Sequence, residues 1–277
     1  MISVDGYVTD LEYREHGRAF FKLGHRILSL ILDMSSRVDI VELSPVKKNR
    51  PIVVTGFTGP GFIGNTALLY VARRKGFIQR AQVKSHLIPP MMLLIEGKPT
   101  PVFRIYGDQK NEILLVVSEA LISAENAWPI GIKLMEWLRG KGVKEIISIE
   151  GMPFATPEGE RPIFGFSTSG RDFSQIGVRS TSEGGISGLN AVLLDEALKH
   201  KVPWTTLLVP TSLSQTIDYG GAADLIEALN RMFKLGVDTS PLRQSDDFRR
   251  KAMERARGGE QRGLLGGFRR RRPDSGA

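Results

Sequence analysis

The sequence of 277 residues contains no cysteine. This absence excludes disulfide bonds, a thiol nucleophile and thiolate metal ligands. The 4 histidines do not form an HExxH pattern or any equivalent cluster, so the sequence predicts no metal site. No apolar run approaches the roughly 18 residues of a membrane span, and the N-terminus lacks the basic start of a secretory signal. We therefore expect a cytoplasmic protein with no membrane partner.

Acidic residues are fewer than basic ones, with 30 Asp and Glu against 38 Lys and Arg, for a net charge of +8. Most of the excess lies in residues 243–277, which carry 11 basic and 5 acidic side chains. The rest of the chain is nearly neutral, unlike a domain with a basic nucleic-acid-binding face. Four consecutive arginines at 269–272 leave two interpretations of the tail, a nucleic-acid contact or a solubilising disordered end.

Apolar runs with strand spacing alternate along the chain with segments of helical spacing. The pattern predicts strands at 38–43, 52–56, 82–85, 112–118, 144–150, 163–166 and 202–209, with a hairpin or meander at 91–106. It predicts helices at 64–74, 126–141, 189–199 and 222–235. This order indicates an α/β fold with a mostly parallel or mixed central sheet and helices on both faces. We assign residues 1–242 to one domain, 243–258 to a charged helix and 259–277 to a disordered basic tail.

The first glycine-rich segment contains Gly59, Gly61 and Gly64 in GxGxxG spacing, followed by Asn65, between a predicted strand and a predicted helix. Free amides there could bind a phosphate. A dinucleotide site also needs an acidic residue after the second strand, where this sequence has Lys, Ser and His at 84–86. The spacing therefore favours a close strand-to-helix connection, with phosphate binding as the alternative.

The second glycine-rich segment contains Gly184, Gly185 and Gly188 before a predicted helix. Position 189 is Leu rather than Gly, so the segment does not form the nucleophile elbow of a hydrolase. Two carboxylates, Glu119 and Glu150, follow predicted strands at the edge where α/β enzymes place catalytic groups. They are candidates for a nucleotide or nucleoside site, or they are solvated strand ends.

Four segments together resemble the archaeal and bacterial proteasome assembly chaperone family. They are TGFTGPGFIGNTALLYVAR at 55–73, EGMP at 150–153, GGISGLNAVLLDEAL at 184–198 and LLVPT at 207–211. The resemblance implies a fold similar to that of purine nucleoside phosphorylases. It also implies a non-enzymatic homo-oligomer without a cofactor, which binds proteasome α subunits or the α-ring.

Some archaeal members of that family carry a C-terminal tail that ends in a hydrophobic residue, Tyr and one further residue. This chain has no Tyr after Tyr219 and ends in Ser-Gly-Ala. The resemblance therefore directs attention to the charged helix, and we take Phe248, Arg249, Arg250 and Met253 as the candidate partner contacts. The alternative is an enzyme or sensor that binds a nucleotide or nucleoside at residues 59–65.

Overall fold

A mixed sheet organises the chain in the computed structural model, which describes residues 38–47, 49–154 and 161–252. In these ranges the strands are β1 (Val38–Glu42), β2 (Ile52–Gly56), β3 (Ile78–Ser85), β4 (Met92–Ile95), β5 (Lys98–Pro101), β6 (Phe103–Gly107), β7 (Ile113–Ser118), β8 (Glu145–Pro153), β9 (Ile163–Ser167), β10 (Val178–Ser180) and β11 (Trp204–Thr211). Nine of these described strands form one sheet in the order β1-β3-β6-β7-β2-β8-β11-β9-β10. β4 and β5 form a separate hairpin.

The middle of the sheet is parallel and its flanks are mixed. β7, β2, β8 and β11 run parallel to one another, as the strand and helix alternation predicts. β6, β3 and β1 continue the sheet on one side in antiparallel pairs, and β9 lies antiparallel to β11 on the other. β10 is parallel to β9. The α/β fold with a mixed sheet is therefore confirmed.

Helices cover both faces of the sheet. In the described residues they are α1 (Ile63–Lys75), α2 (Ala124–Gly140), α3 (Gly188–Lys199), α4 (Tyr219–Phe233) and a segment, α5, that is helical from residue 240 to residue 252. α1 and α4 pack on one face, and α2 and α3 on the other. The neighbouring β8 residues Ile146 and Ile147 enter opposite cores. Burial on both faces explains why the central strands have continuous apolar runs instead of alternating ones.

α4 begins at Tyr219, three residues before the predicted start. Two glycines, at 220 and 221, disfavour a helix, but the side chain of Asp218 accepts a hydrogen bond from the Gly221 amide at 2.8 Å. This N-terminal cap satisfies an amide that the helix leaves free and fixes the earlier start.

Candidate functional site

The first glycine-rich segment connects β2 to α1 at the carboxyl edge of the sheet. A Cβ atom added to Gly64 would lie 2.4 Å from the Ile149 carbonyl oxygen, and one added to Gly56 would lie 2.4 Å from the Gly64 carbonyl oxygen. Gly61 has φ of 64° and faces Thr211. By contrast, a Cβ on Gly59 would meet no atom within 4 Å. Strand backbone thus fills the space beside Gly64, which favours close packing over a phosphate cradle.

Asn65 follows these glycines, and its side chain is used within the fold. It is buried, and its Oδ1 accepts a hydrogen bond from the Thr66 amide at 3.0 Å. Thr58, in the same connection, donates from its hydroxyl to the Ser118 carbonyl at 3.1 Å. The polar groups beside the start of α1 are therefore directed to partners inside the protein.

Glu150 lies among buried polar groups near the carboxyl end of β8. Asn190 of α3 accepts a 2.8 Å hydrogen bond from the Thr55 hydroxyl, and Ser148 donates to Thr206 at 2.9 Å. Burial raises the pKa of Glu150 to about 7, although the Asn190 and Ser148 side chains lower it in part. Its Oε1 is buried without a hydrogen-bond partner among the described residues. This carboxyl group can therefore gain or lose a proton near neutral pH.

The second glycine-rich segment borders an open space. Gly184 and Gly185 line a cavity of about 330 Å³, whose floor includes Thr206 and Leu208 of β11. Gly188, the first residue of α3, has φ of 62°, and an added Cβ would meet no atom within 4 Å. The two glycine-rich segments therefore differ, since the first is filled by backbone and the second leaves room for a small molecule.

Glu119 is held by an ion pair instead of lying with Glu150. Its carboxylate contacts the fully buried guanidinium of Arg104, which also donates to the Pro101 carbonyl at 2.7 Å. Burial raises the pKa of Glu119, and the charge of Arg104 opposes that rise. Glu119 directly follows β7 and Glu150 lies on β8, two strands that are separated by β2, and the two carboxylates have different side-chain neighbours. The structure does not bring them together as an acid and base pair.

The candidate contacts in the C-terminal helix have different environments. Arg243 anchors α5 to α4 through Asp224 at 2.7 Å and Glu227 at 2.8 Å. Beyond this anchor, the side chain of Phe248 is 77% exposed. Arg249 is partly buried and pairs with Asp246. Arg250 is exposed and pairs with Asp247. Met253 lies outside the described residues. Of the described contacts, Phe248 and Arg250 are therefore the more accessible.

A profile of the PAC2 family matches residues 53–256. The chain belongs to the PAC2 family. The matched range begins in β2 and extends past residue 252, so α5 lies within the region typical of PAC2 proteins. The arginine run at 269–272 lies outside it.

Solved structures and a curated relative are similar to this PAC2 chain. Pyrococcus furiosus PbaA, described as an archaeal homolog of proteasome-assembly chaperone, is 25% identical, with coverage of 84% of this chain and 97% of its own and a TM-score of 0.73. Pyrococcus furiosus PbaB, described as an archaeal proteasome activator, is 16% identical, with coverage of 80% and 99% and a TM-score of 0.69. An uncharacterized protein of Methanocaldococcus jannaschii is 23% identical over 211 residues, which are 76% of this chain and 86% of the relative.

Sequence reasoning missed one polar cluster of this PAC2 chain, which is centred on Asp218. The residue is 1% exposed, and its side chain accepts hydrogen bonds from Thr211 at 2.7 Å, from the Gly221 amide at 2.8 Å and from Arg161 at 2.8 Å. The available signal was an Asp at N-cap spacing before an Ala-rich helix. Arg161 is 57 residues away, and no sequence pattern indicates that contact.

No group of three or more His, Cys, Asp or Glu side chains in the described ranges is arranged to hold a metal ion. Among the helices of the same ranges, none is long and apolar enough to span a membrane.

Proposed function

We propose that this PAC2 protein is a non-enzymatic assembly chaperone that binds proteasome α subunits or the α-ring and assists 20S assembly. The observation that carries the proposal is the likeness to PbaA, which extends over 84% of the chain and 97% of PbaA. The proposal includes a cytoplasmic homo-oligomer. Membership of the PAC2 family supports the chaperone role, and the proteasome α subunits are the partner that we propose.

The carboxyl edge of the sheet supports a role without catalysis. Glu119 is held by Arg104, and the space beside Gly64 is filled by the β8 backbone. A general acid or base must reach the proton that it transfers, and a phosphate loop must present free amides to its ligand. Of the groups that suggested chemistry in the sequence, Glu119 and the backbone beside Gly64 are thus used in holding the fold together.

The outward side of α5 is the proposed contact. Aromatic and arginine side chains are enriched in protein interfaces. Phe248 and Arg250 are exposed residues of these types on α5, while Arg243 holds the helix on the body. Arg249 and Met253 complete the proposed contact set, and the contact needs no terminal Tyr motif.

The test is an affinity pull-down of the tagged full-length protein from an extract of its own cells at moderate salt. Recovery of α subunits is expected for the wild type and for the control Leu198→Ala/Lys144→Ala, which alters an exposed apolar and an exposed basic residue elsewhere. Phe248→Ala/Arg250→Ala should recover at least about tenfold less, because the loss of about 1.4 kcal/mol of contact free energy has that effect. Thermal melts check that all proteins are folded.

The outcomes distinguish an error in the proposed partner from an error in the proposed contact surface. If the wild type recovers no α subunits, the proposed partner is wrong. If wild type, control and the α5 variant recover them equally, the contact through Phe248 and Arg250 is wrong while the partner stands.

A second candidate function, binding of a nucleotide or nucleoside, is favoured by the cavity beside Gly184 and Gly185. Its volume of about 330 Å³ lies at the lower end of ligand pockets. A thermal-shift panel of nucleotides and nucleosides tests it, since a ligand at 100 times its Kd adds about 2.7 kcal/mol of stability. A panel without any shift rejects this candidate.

A further inference from the structure

The hairpin of β4 and β5 has an uncovered apolar face. Leu93 packs on the core beneath α2, whereas Met92 is 59% exposed and Leu94 is 78% exposed. Alternate residues of a strand lie on the same face, so Met92 and Leu94 are neighbours on the outer side. A two-stranded sheet is marginally stable in water unless another element packs against it. This hairpin therefore gains stability from any segment that covers its outer face.

An open groove runs beside the hairpin. Its volume is about 1100 Å³, and its lining is mostly hydrocarbon. The apolar lining includes Ile88, Pro89, Pro90, Met91, Met92 and Pro99. Contiguous apolar surface of this kind marks a contact site more often than scattered exposed side chains do.

The chain enters the described body at this groove. β1 begins at Val38, which is paired with Ser85 of β3. Ser85 and the next residue, His86, both line the groove. Residue 34 precedes Val38 by four residues and so lies within about 14 Å of it along the chain. A segment that ends near residue 34 is therefore within reach of the groove.

The sequence before β1 carries apolar side chains at helical spacing. Phe20, Leu23, Ile27, Ile31 and Met34 follow one another at intervals of three or four residues. Lys22, Arg26, Ser29 and Asp33 form a polar side on the same helical projection. Phe21, Leu28 and Leu32 widen the apolar side next to the stripe. This pattern is typical of an amphipathic helix, which needs an apolar surface against which to bury its stripe.

We propose that residues 20–34 cover the groove and the outer face of the β4 and β5 hairpin in the same chain, with the apolar stripe against Met92. The apolar stripe of the segment fits the apolar lining of the groove, and the chain enters beside Ser85, which lines it. The contact is independent of the proposed proteasome partner, and it makes the hairpin an internal surface of the full-length protein.

The absence of cysteine allows a direct test by thiol labelling of the folded full-length protein. Met92→Cys reports on the groove, and Ile78→Cys, at a position that is 50% exposed on β3, is the control. With a maleimide reagent, we expect the thiol at 92 to react at least about tenfold more slowly than the thiol at 78. Adding Ile27→Asp/Ile31→Asp on the apolar stripe should remove this difference.

A matched variant on the polar side distinguishes the stripe from a general effect of charge. Lys22→Asp/Ser29→Asp should leave the thiol at 92 protected. Equal labelling at 92 and 78 without any change in the segment would overturn the proposal. Protection that persists in Ile27→Asp/Ile31→Asp would also overturn it, because another surface would then cover the groove.

Cross-linking identifies which chain supplies the segment. A flexible bismaleimide applied to Met92→Cys/Ile31→Cys should join the two positions within one chain and leave a monomer on a denaturing gel. Cross-linked dimers formed in place of the internal product would overturn the assignment to the same chain and place the segment of a second copy in the groove.

Discussion

Alanine at Gly64 should destabilise the protein, although alanine normally favours helices. Gly64 lies in the first turn of α1, where replacement of glycine by alanine gains up to about 1 kcal/mol of helix propensity. The new Cβ, however, would lie 2.4 Å from the Ile149 carbonyl oxygen and 3.2 Å from the Gly56 Cα. The two backbones must separate by about 0.6 Å or more before the Cβ fits, because contacts shorter than 3.0 Å are essentially never observed.

Displacement of either backbone costs free energy, because both are held by other contacts. β8 is held between β2 and β11, and α1 is fixed by the buried side chains of Ile63 and Leu68. We therefore place the overpacking cost at the upper end of the usual 1–3 kcal/mol, which leaves a net loss of about 2 kcal/mol. The corresponding fall in Tm is about 4–8 °C for a chain of this size.

Urea denaturation at fixed protein concentration is the assay, with Gly59→Ala as the control from the same segment. Gly59 has an extended φ of −160° and no atom near an added Cβ, so alanine should change the free energy of unfolding by less than about 0.5 kcal/mol. The midpoint for Gly64→Ala should fall by about 1 M with an unchanged slope. The packing argument is refuted if Gly64→Ala is as stable as the wild type, or if Gly59→Ala loses as much.

Two further predictions concern buried carboxylates. Because burial raises the pKa of Glu150 from 4.5 to about 7, the folded chain binds a proton that the unfolded chain releases, and stability falls as pH rises through that window. In urea titrations across that range, Glu150→Gln should have the same free energy of unfolding as the wild type below pH 4.5. At pH 8 its free energy of unfolding should be higher than that of the wild type by up to about 3 kcal/mol. A difference that does not change with pH would contradict this prediction. Asp218→Ala should lose about 2–3 kcal/mol, because it removes the N-terminal cap of α4 and leaves the buried Thr211 hydroxyl without its acceptor, while Arg161 keeps Asp224 at 3.7 Å. Asp247→Ala, which removes an exposed pair, should lose less than about 1 kcal/mol. Equal losses in urea denaturation would count against the buried cluster.

The sequence predicts the strand and helix alternation well because the central strands are buried on both faces. Their apolar runs, such as ILLVVS in β7, are too continuous for a surface strand and are bounded by turn residues. The apolar runs do not predict the direction in which each strand runs. β9 lies antiparallel to β11 although α3 separates them in sequence, since pairing depends on where each connection crosses the sheet.

The candidate site is predictable only in part, for a related reason. Spacing identifies both glycine-rich segments but does not distinguish the filled space beside Gly64 from the cavity beside Gly184. It also places Glu119 and Glu150 at the correct edge without showing that one is tied to Arg104. Contacts between residues that are separated in sequence decide these differences, and a local sequence pattern does not predict such contacts.

Two of the exposed apolar residues in the described part of the chain, Phe248 and Met92, call for different explanations. Phe248 is carried by a helix that Arg243 fixes to α4 through two carboxylates, so its exposure is maintained by specific contacts on the other side of the helix. Met92 belongs to a hairpin that pairs with no strand of the main sheet and has an open groove beside it. A ring presented by a firmly anchored helix suits an external partner, because little further ordering is needed on binding. A weakly supported hairpin next to the point of chain entry instead suits a segment that is always present, and this is why we assign α5 to the partner and the groove to the chain itself.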